Sequence, residues 1–381
     1  MVDRRRIVRQ WRQGAARVLV TLVRAEGSSY RGPGAHLLIG VDGREYAGCI
    51  SGGCLEAEVV RKAAWMVRDG AVVERYSTLF DDTAEIPFGL GCGGVVDLLL
   101  EPAETAECRA LLEAMEASLG GAEARVATWL PEDGRPLARA VFGADGKLRF
   151  ASQGLSAAEI AAANVAGQVG VVASGSAQVY LETLLPPQRL FVLGAGDDAK
   201  PVATMAALLG WRVTVADGRV QLARVERFPG AERVVAIQAA AELEIRADDA
   251  VVLMTHSYEQ DRALLTELLG ASAVPGYIGL LGASHRSSLL VSEAAAKLGR
   301  SVAECCERVW APVGLDLGGE GAEAIALAVI AEVQAWTQGK LDSAGIRLGR
   351  LTAERVAQLI EKDGASVERY TQTQCALGTT K

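Results

Sequence analysis

The second half of the sequence alternates short apolar strands with helical segments, and this alternation limits the possible folds more than any other feature. From Gln188 onward, apolar runs of strand length are separated by stretches with helical spacing, beginning with a strand over residues 189–193 and a helix over 200–209. Parallel strands need long crossover connections, which helices supply. We therefore predict a Rossmann-like, doubly wound parallel sheet, closed by a long helix over residues 320–336.

A glycine-rich turn, Gly194-Ala195-Gly196-Asp197-Asp198-Ala199, follows the first of these strands and opens the first helix. Glycines permit a tight turn and a close backbone approach, and the helix N-terminus favours a phosphate. An acid at the end of the next strand would bind a ribose hydroxyl. The candidate nucleotide-binding residues are Gly194, Gly196, Ala199 and Asp217. Because Asp197 and Asp198 repel a phosphate unless a cation intervenes, a Rossmann scaffold that has lost its nucleotide site remains an alternative.

Polar residues also follow two later strands of the predicted sheet, those that end at Met254 and at Leu280. Open α/β sheets bind ligands at the carboxyl ends of their strands. The candidate residues at this ligand edge are His256, Asp261, Gly282 and Arg286. A histidine after a strand can equally be a loop or packing residue, and the sequence leaves that choice open.

The first half of the chain carries strands and helices in a less regular order, and we expect a mixed α/β domain there. Its clearest local signals are two hairpin turns, Asp42-Gly43 and Asp145-Gly146, and no internal repeat is evident. Pro186-Pro187 is the best linker candidate. The predicted domains are residues 1–186, residues 187–338 and a C-terminal tail, residues 339–381, with one helix over 352–362.

Two cysteines of the first half lie among glycines. Cys54 follows Ser51-Gly52-Gly53 at the start of a predicted helix, where the helix dipole and free amides lower a thiol pKa. Cys92 lies in Gly91-Cys92-Gly93-Gly94, which leaves its sulfur and the neighbouring amides open to a bulky anion. A free cysteine is more often a small buried hydrophobe. We expect Cys49 to face the core, and the cysteines that we expect to be structural or incidental are Cys108, Cys305, Cys306 and Cys375.

The bulk properties exclude several classes of protein. A net charge of −8 argues against broad nucleic-acid binding, and no apolar run reaches the length of a membrane helix. The basic N-terminus lacks the apolar run of a secretory signal. Seven cysteines with irregular spacing fit a reducing compartment better than a disulfide framework, and none has the paired spacing of a structural zinc site. We therefore expect a cytoplasmic protein.

Taken in order, these motifs resemble those of the XdhC/CoxI family of xanthine dehydrogenase accessory factors. The matching segments of the first half are Gly27-Ser28-Ser29, Arg31, Gly34-Ala35, residues 48–56 and Gly91-Cys92-Gly93-Gly94. Those of the second half are Gly194-Ala195-Gly196, Gly210-Trp211, Asp217-Gly218-Arg219, Thr255-His256, Asp261, residues 277–282 and residues 314–318. The resemblance extends from about Val18 to about Trp336, with departures at Asp197-Asp198, where many members have histidine, and at Tyr30, where proline is common.

The resemblance implies a chaperone for the molybdenum cofactor (molybdopterin). Such a protein holds the pterin-bound molybdenum, shields its sulfurated form from oxygen and passes it to an apo xanthine dehydrogenase-type molybdenum hydroxylase. On that pattern the soft thiolate of Cys92 would contact the metal or its sulfur, with Cys54 second, and backbone amides would meet the phosphate. The implied cofactor-binding residues are Cys92, Cys54, Gly91, Gly93, Gly94, Gly52, Gly53, Ser51, Ser28 and Ser29.

The same resemblance extends to partners and form. Besides the apo-hydroxylase, a cysteine desulfurase or another cofactor-modifying enzyme is an expected partner, and a homodimer is the expected assembly. A nucleotide in the Rossmann-like domain is a further expectation. Two other functions stay open at this point: a nicotinamide-dependent oxidoreductase that uses the glycine turn and Asp217, and a thiol switch between Cys54 and Cys92.

Overall fold

The chain forms two compact units, Met1–Pro187 and Gln188–Lys381, so the division falls at the Pro186-Pro187 pair. The computed structural model describes residues 1–53, 55–77, 94–132, 134–164, 169–341 and 351–362. The mixed α/β first unit and the parallel sheet of the second confirm the predicted fold class. Among the described helices, none is long and apolar enough to cross a lipid bilayer.

The first unit contains two five-stranded antiparallel sheets. Its elements are α1 (Val2–Arg12), β1 (Val18–Gly27), β2 (His36–Ile39), β3 (Tyr46–Gly48), α2 (Glu56–Met66), β4 (Val72–Ser77), β5 (Gly94–Pro102), α3 (Ala106–Leu119), β6 (Ala124–Trp129), β7 (Ala138–Gly143), β8 (Leu148–Ala151), α4 (Ala157–Ala163), β9 (Gly170–Ser174) and β10 (Ala177–Leu184). The strand orders are β3-β2-β1-β5-β4 and β8-β7-β6-β10-β9. Each sheet is therefore built from three consecutive strands, a helix and two more strands, the last of which lies beside the first.

The two sheets agree in register as well as in topology, so the first unit contains an internal repeat. Thr21 of β1 lies opposite His36 of β2, and Thr128 of β6 lies opposite Arg139 of β7 at the equivalent position. No internal repeat is evident in the sequence, and the one found here is a repeat of topology and strand pairing. The repeat is visible in the sequence only at the two Asp-Gly hairpin turns, because backbone pairing can be kept while side chains change.

Ionisable side chains at equivalent positions of the two sheets form reciprocal buried pairs. Arg139 of β7 donates to both carboxylate oxygens of Glu101 on β5, at 2.8 and 2.9 Å, and both side chains are 1% exposed. In the reciprocal pair, His36 of β2 lies 3.4 Å from Glu182 of β10. Each pair joins a residue of one sheet to a residue of the other, so both pairs lie between the two sheets.

The second unit is a six-stranded parallel sheet with helices on both faces. Its elements are β11 (Arg189–Leu193), α5 (Ala199–Leu208), β12 (Arg212–Asp217), β13 (Arg233–Ala236), β14 (Ala250–Leu253), α6 (Tyr258–Gly270), β15 (Tyr277–Leu280), α7 (Ser284–Leu298), α8 (Val302–Cys306), β16 (Val309–Trp310) and α9 (Ala322–Thr337). The strand order β13-β12-β11-β14-β15-β16 is that of dinucleotide-binding folds. One core cluster packs α5 and α9 against the sheet, and the other packs α6 and α7.

Part of the predicted tail belongs to the core of the second unit. Residues 353–362 are helical, close to the predicted helix over 352–362. Leu351 and Val356 are buried in the same cluster as the α6 and α7 side chains. Apolar side chains of this segment are thus buried together with those of α6 and α7.

Candidate functional site

Three motifs of the first unit meet at one end of the sheet β3-β2-β1-β5-β4. Gly27, at the end of β1, pairs with Gly94, at the start of β5. A Cβ added to Gly94 would lie 2.1 Å from the Ser28 carbonyl oxygen, and one added to Gly52 would lie 2.9 to 3.1 Å from ring carbons of Tyr30. Real Cβ atoms essentially never approach other atoms to less than 3.0 Å, so these glycines allow the loop after β1, the loop after β3 and the start of β5 to touch.

This convergence brings together six of the predicted cofactor-binding residues. They are Ser28, Ser29, Ser51, Gly52, Gly53 and Gly94. The remaining four, Cys54, Gly91, Cys92 and Gly93, lie outside the described residues. In the sequence, however, Cys54 directly follows Gly53, and Cys92 lies two positions before Gly94. The described parts of all three motifs therefore lie at one edge of one sheet.

The carboxylate of Glu56, in the first turn of α2, organises the loop after β3. One oxygen accepts the amides of Ile50 and Ser51 at 2.9 and 2.8 Å, and the other accepts the Gly53 amide at 2.9 Å and the Ser51 hydroxyl. Burial alone would raise the pKa of Glu56, but the hydrogen bonds from Ser51 and Ile50 outweigh it and lower the pKa from 4.5 to about 2. The residues of this loop thus surround a carboxylate that is ionised at neutral pH.

This arrangement changes what the loop can offer to an anion. The amides of Ile50, Ser51 and Gly53 already donate to Glu56, and the Gly52 amide donates to the Cys49 sulfur at 3.1 Å. From the sequence, backbone amides of this loop were expected to meet the cofactor phosphate. The structure differs, because a carboxylate supplied by the chain itself occupies these donors.

Cys49 does not lie where its sequence neighbours indicate. Its amide donates to the His36 carbonyl at 3.0 Å, and its side chain is partly exposed rather than packed in the core. Burial raises the pKa of the Cys49 thiol, the Gly52 amide offsets part of that rise, and Glu56 adds to it. Cys49 is therefore a neutral thiol at pH 7. Gly48, whose φ is +98°, ends β3 directly before Cys49. This glycine was the sequence signal that the chain turns away from the core at Cys49.

The two sheets of the internal repeat differ in the length of the connection between their last two strands. In the second sheet, Gly175-Ser176 alone joins β9 to β10, whereas residues 78–93 join the equivalent strands β4 and β5. A two-residue turn suffices for this topology. The connection that carries Gly91 and Cys92 in the sequence is longer than the one that the second sheet uses, and long connections in compact domains are often functional.

In the second unit, the acid predicted to bind a ribose is already hydrogen-bonded. Asp217 accepts the Ala195 amide of the glycine turn at 2.7 Å and the Arg219 guanidinium at 2.8 and 2.9 Å. Burial would raise the pKa of Asp217, but the bonds from Arg219 and Ala195 outweigh it and lower the pKa. A ribose hydroxyl would have to share this carboxylate with Arg219.

The two acidic residues of the glycine turn both have cationic or ionisable neighbours. Asp197 lies 2.7 Å from Lys200 and 2.9 Å from Arg227, and Lys200 is the main cause of its lowered pKa. Asp198 lies 3.0 Å from the His256 ring. Gly196 lies beside the same ring, since its added Cβ would be 3.4 Å from His256 Nε2. From the sequence, a cation was required beside these acids if a phosphate is to bind there. Lys200 and Arg227 are such cations beside Asp197.

His256 has an unusual backbone conformation. Its φ is +60°, and within the described ranges no other non-glycine residue has a positive φ. Such positions cost free energy and cluster at functional sites. His256 lies at the carboxyl end of the sheet, where the sequence predicted it among the ligand-edge residues.

The other ligand-edge residues lie around the buried carboxylate of Asp261. Asp261 accepts the Thr255 hydroxyl and the Arg286 guanidinium, both at 2.7 Å. A Cβ added to Gly282 would touch Arg286 Cδ at 3.5 Å, and the φ of Gly282 is +127°. In this structure, these residues fix the position of Arg286.

A cleft of about 220 Å³ lies at the carboxyl ends of β12 and β14. Its wall includes Asp217, Gly218 and Thr255, together with Gln238 and Gln260. The two glutamines were not predicted from the sequence, because neither belongs to a recognisable motif. Their amide groups can both donate and accept hydrogen bonds.

Comparisons with known proteins cover both units. Residues 190–333 match the model described as the XdhC Rossmann domain, and residues 10–77 match that of the XdhC and CoxI family. The chain is 29% identical over 331 residues to a probable xanthine dehydrogenase subunit of Bacillus subtilis (strain 168), covering 83% of this chain and 92% of the relative. It is 28% identical over 321 residues to the molybdenum cofactor insertion chaperone PaoD of Escherichia coli (strain K12), covering 84% and 83%.

A solved structure agrees with both units. The crystal structure of a xanthine dehydrogenase from Bacillus halodurans superposes with a TM-score of 0.74 at 26% identity. The superposition covers 90% of this chain and 98% of that chain. The likeness therefore extends over both the two-sheet unit and the parallel-sheet unit.

Proposed function

The chain belongs to the XdhC and CoxI family, and on that premise we propose that it binds the molybdenum cofactor and delivers it to a xanthine dehydrogenase-type molybdenum hydroxylase. The names of two relatives, a molybdenum cofactor insertion chaperone and a probable xanthine dehydrogenase subunit, support a role in maturing such an enzyme. The cofactor is cargo in this proposal, held and passed on.

One observation carries the proposal: the motif loops of the first unit converge at one edge of its first sheet. Gly27 pairs with Gly94, and the loop after β3 packs on Tyr30. Cys54 and Cys92 are adjacent or nearly adjacent in sequence to described residues of this edge. Two thiolates are soft ligands that suit molybdenum and its sulfur.

The described residues restrict how the cofactor is held. Cys49 is a neutral thiol beside Glu56, so we assign the contact with metal or sulfur to Cys92, with Cys54 second. Because Glu56 already accepts the amides of the loop after β3, the cofactor phosphate needs donors from elsewhere at this edge. The candidate donors are the amides at positions 91 and 93, which belong to the segment that the second sheet lacks.

The test is molybdenum and pterin analysis of protein produced in a host that makes the cofactor. Wild-type protein is expected to carry both after gel filtration, and Cys92→Ala to lose most of both. Cys375→Ala, in the C-terminal tail, is the matched control and should retain them. A wild type that carries neither molybdenum nor pterin would refute the proposal, and a fully loaded Cys92→Ala would refute the assigned contact.

A nucleotide in the second unit is a second part of the proposal, and the cleft beside Asp217 supports it. Gln238 and Gln260 can read the edge of a base there, while Arg219 neutralises Asp217. Titration with cytidine and adenine nucleotides, with Gln260→Ala as the variant, tests this part. Binding of a nicotinamide dinucleotide with measurable hydride transfer would instead favour an oxidoreductase.

A further inference from the structure

We propose that Tyr30 is a stacking platform for the pterin ring of the cofactor, an inference that rests on the proposed function. Tyr30 lies in the loop after β1 and is 75% exposed. At this convergence of motif loops the ring offers an exposed aromatic surface, and an aromatic ring gains free energy when a flat ligand covers it.

The ring is held in place by the neighbouring motif. A Cβ added to Gly52 would lie 2.9 Å from Tyr30 Cδ1 and 3.1 Å from both Cγ and Cε1. A point in the ring plane could not be almost equally close to three consecutive ring atoms, so Gly52 lies over the ring face. Part of one face of Tyr30 is therefore next to the Gly52 backbone, and most of the ring stays exposed.

Gly52 cannot be replaced without disturbing this contact. Its φ is +79°, a conformation that side chains rarely adopt, and any Cβ would enter the ring. The loop after β3 is in turn fixed by Glu56 through the amides of Ser51 and Gly53. The loops that carry the platform are thus preorganised. Stacking of a ligand on Tyr30 therefore costs little conformational entropy of these loops.

The chemistry of a pterin fits such a surface. A pterin is a flat heteroaromatic system, and flat bases that stack on aromatic side chains lose about 1–3 kcal/mol of binding when the side chain is cut to alanine. Converted at 1.4 kcal/mol for each factor of ten, this is roughly a five- to hundredfold weaker affinity. Phenylalanine preserves the ring and should preserve the affinity.

Trp65 provides a matched control. It is 71% exposed, nearly as much as Tyr30, and belongs to the same unit. It lies near the end of α2, about two and a half turns from the start of that helix and thus well removed along it from the loop after β3. If any exposed aromatic side chain could bind the pterin, Trp65→Ala and Tyr30→Ala would reduce pterin retention equally.

The experiment compares pterin retention by full-length wild-type, Tyr30→Ala, Tyr30→Phe and Trp65→Ala proteins. All are made in a cofactor-producing host and dialysed in parallel, and pterin and molybdenum per chain are measured over time. Tyr30→Ala is expected to lose pterin five- to a hundredfold faster, while Tyr30→Phe and Trp65→Ala follow wild type. Circular dichroism and thermal unfolding check that each variant is folded.

The outcomes separate this inference from the proposed function. A loaded wild type with equally loaded Tyr30→Ala overturns the platform and leaves the chaperone proposal standing. A wild type without pterin overturns both. Equal losses in Tyr30→Ala and Trp65→Ala also overturn the platform, because the effect would then not be specific to this loop.

Discussion

Replacing Glu56 by glutamine should release the loop after β3 while leaving the fold intact. The Glu56 carboxylate accepts the Ile50, Ser51 and Gly53 amides and the Ser51 hydroxyl. Lowering its pKa from 4.5 to about 2 corresponds to about 3 kcal/mol, at 1.36 kcal/mol for each pKa unit. A glutamine offers one carbonyl oxygen to donors that now share two charged ones. Its NH2 group would face some of those donors directly.

The assay is hydrogen exchange of the peptide that covers residues 49–56, measured by mass spectrometry. About 3 kcal/mol corresponds to roughly a hundredfold loss of protection at the amides of Ile50, Ser51 and Gly53 in Glu56→Gln. Glu58→Gln is the matched control, two residues away on the same helix. The pKa of Glu58 is lowered by Arg61 and Lys62, whose side chains are exposed, so its removal should change protection less than about twofold.

The same carboxylate gives a pH dependence whose direction follows from its lowered pKa. Because the pKa of Glu56 in the folded loop is about 2, below its ordinary 4.5, the stabilisation is fully present above about pH 4.5. It is lost as the pH falls from there toward 2. Protection corrected for the intrinsic exchange rate should therefore stay level from pH 7 to about 4.5 and then decline. Unchanged protection in Glu56→Gln, or a decline that begins near pH 6, would refute the reasoning.

Two further substitutions test the packing of the first unit. Gly52→Ala forces a side chain into a left-handed conformation at about 1–2 kcal/mol and into the Tyr30 ring, so its thermal midpoint should fall. Adding Tyr30→Ala should relieve the clash but not the backbone strain, and full recovery would contradict that. Arg139→Met leaves Glu101 buried without its cation and should cost about 3–5 kcal/mol in urea unfolding. Adding Glu101→Leu should recover most of that loss, and no recovery would show that the ion pair is not the cause.

The sequence identified the motifs of the first unit but not the contacts that their residues make. The motifs around Ser28, Gly52 and Gly94 were identified, and the structure brings them to one edge. The role of Glu56 was not foreseen, because a glutamate in the first turn of a helix ordinarily indicates only a favourable dipole interaction. Cys49 was expected in the core, since strand periodicity does not show that the chain turns away just after Gly48.

The second unit shows the same division between motif and environment. The glycine turn and the acid at Asp217 were identified from spacing alone, and the structure places both at the carboxyl end of the sheet. Spacing could not show that Arg219 and the Ala195 amide already donate hydrogen bonds to the Asp217 carboxylate. Nor could it show that His256 lies beside Gly196, because the two are far apart in the chain.

The sequence by itself determined the features that depend on local periodicity and backbone freedom. These are the parallel-sheet half, the glycine turns and the hairpins. Such features depend on residues a few positions apart, and their physics is the same in any fold. Tertiary structure alone decided the repeated topology of the first unit, the reciprocal pairs of Arg139 with Glu101 and His36 with Glu182, and the capture of loop amides by Glu56. These depend on which distant groups share a buried space, where water no longer competes for charges and hydrogen bonds.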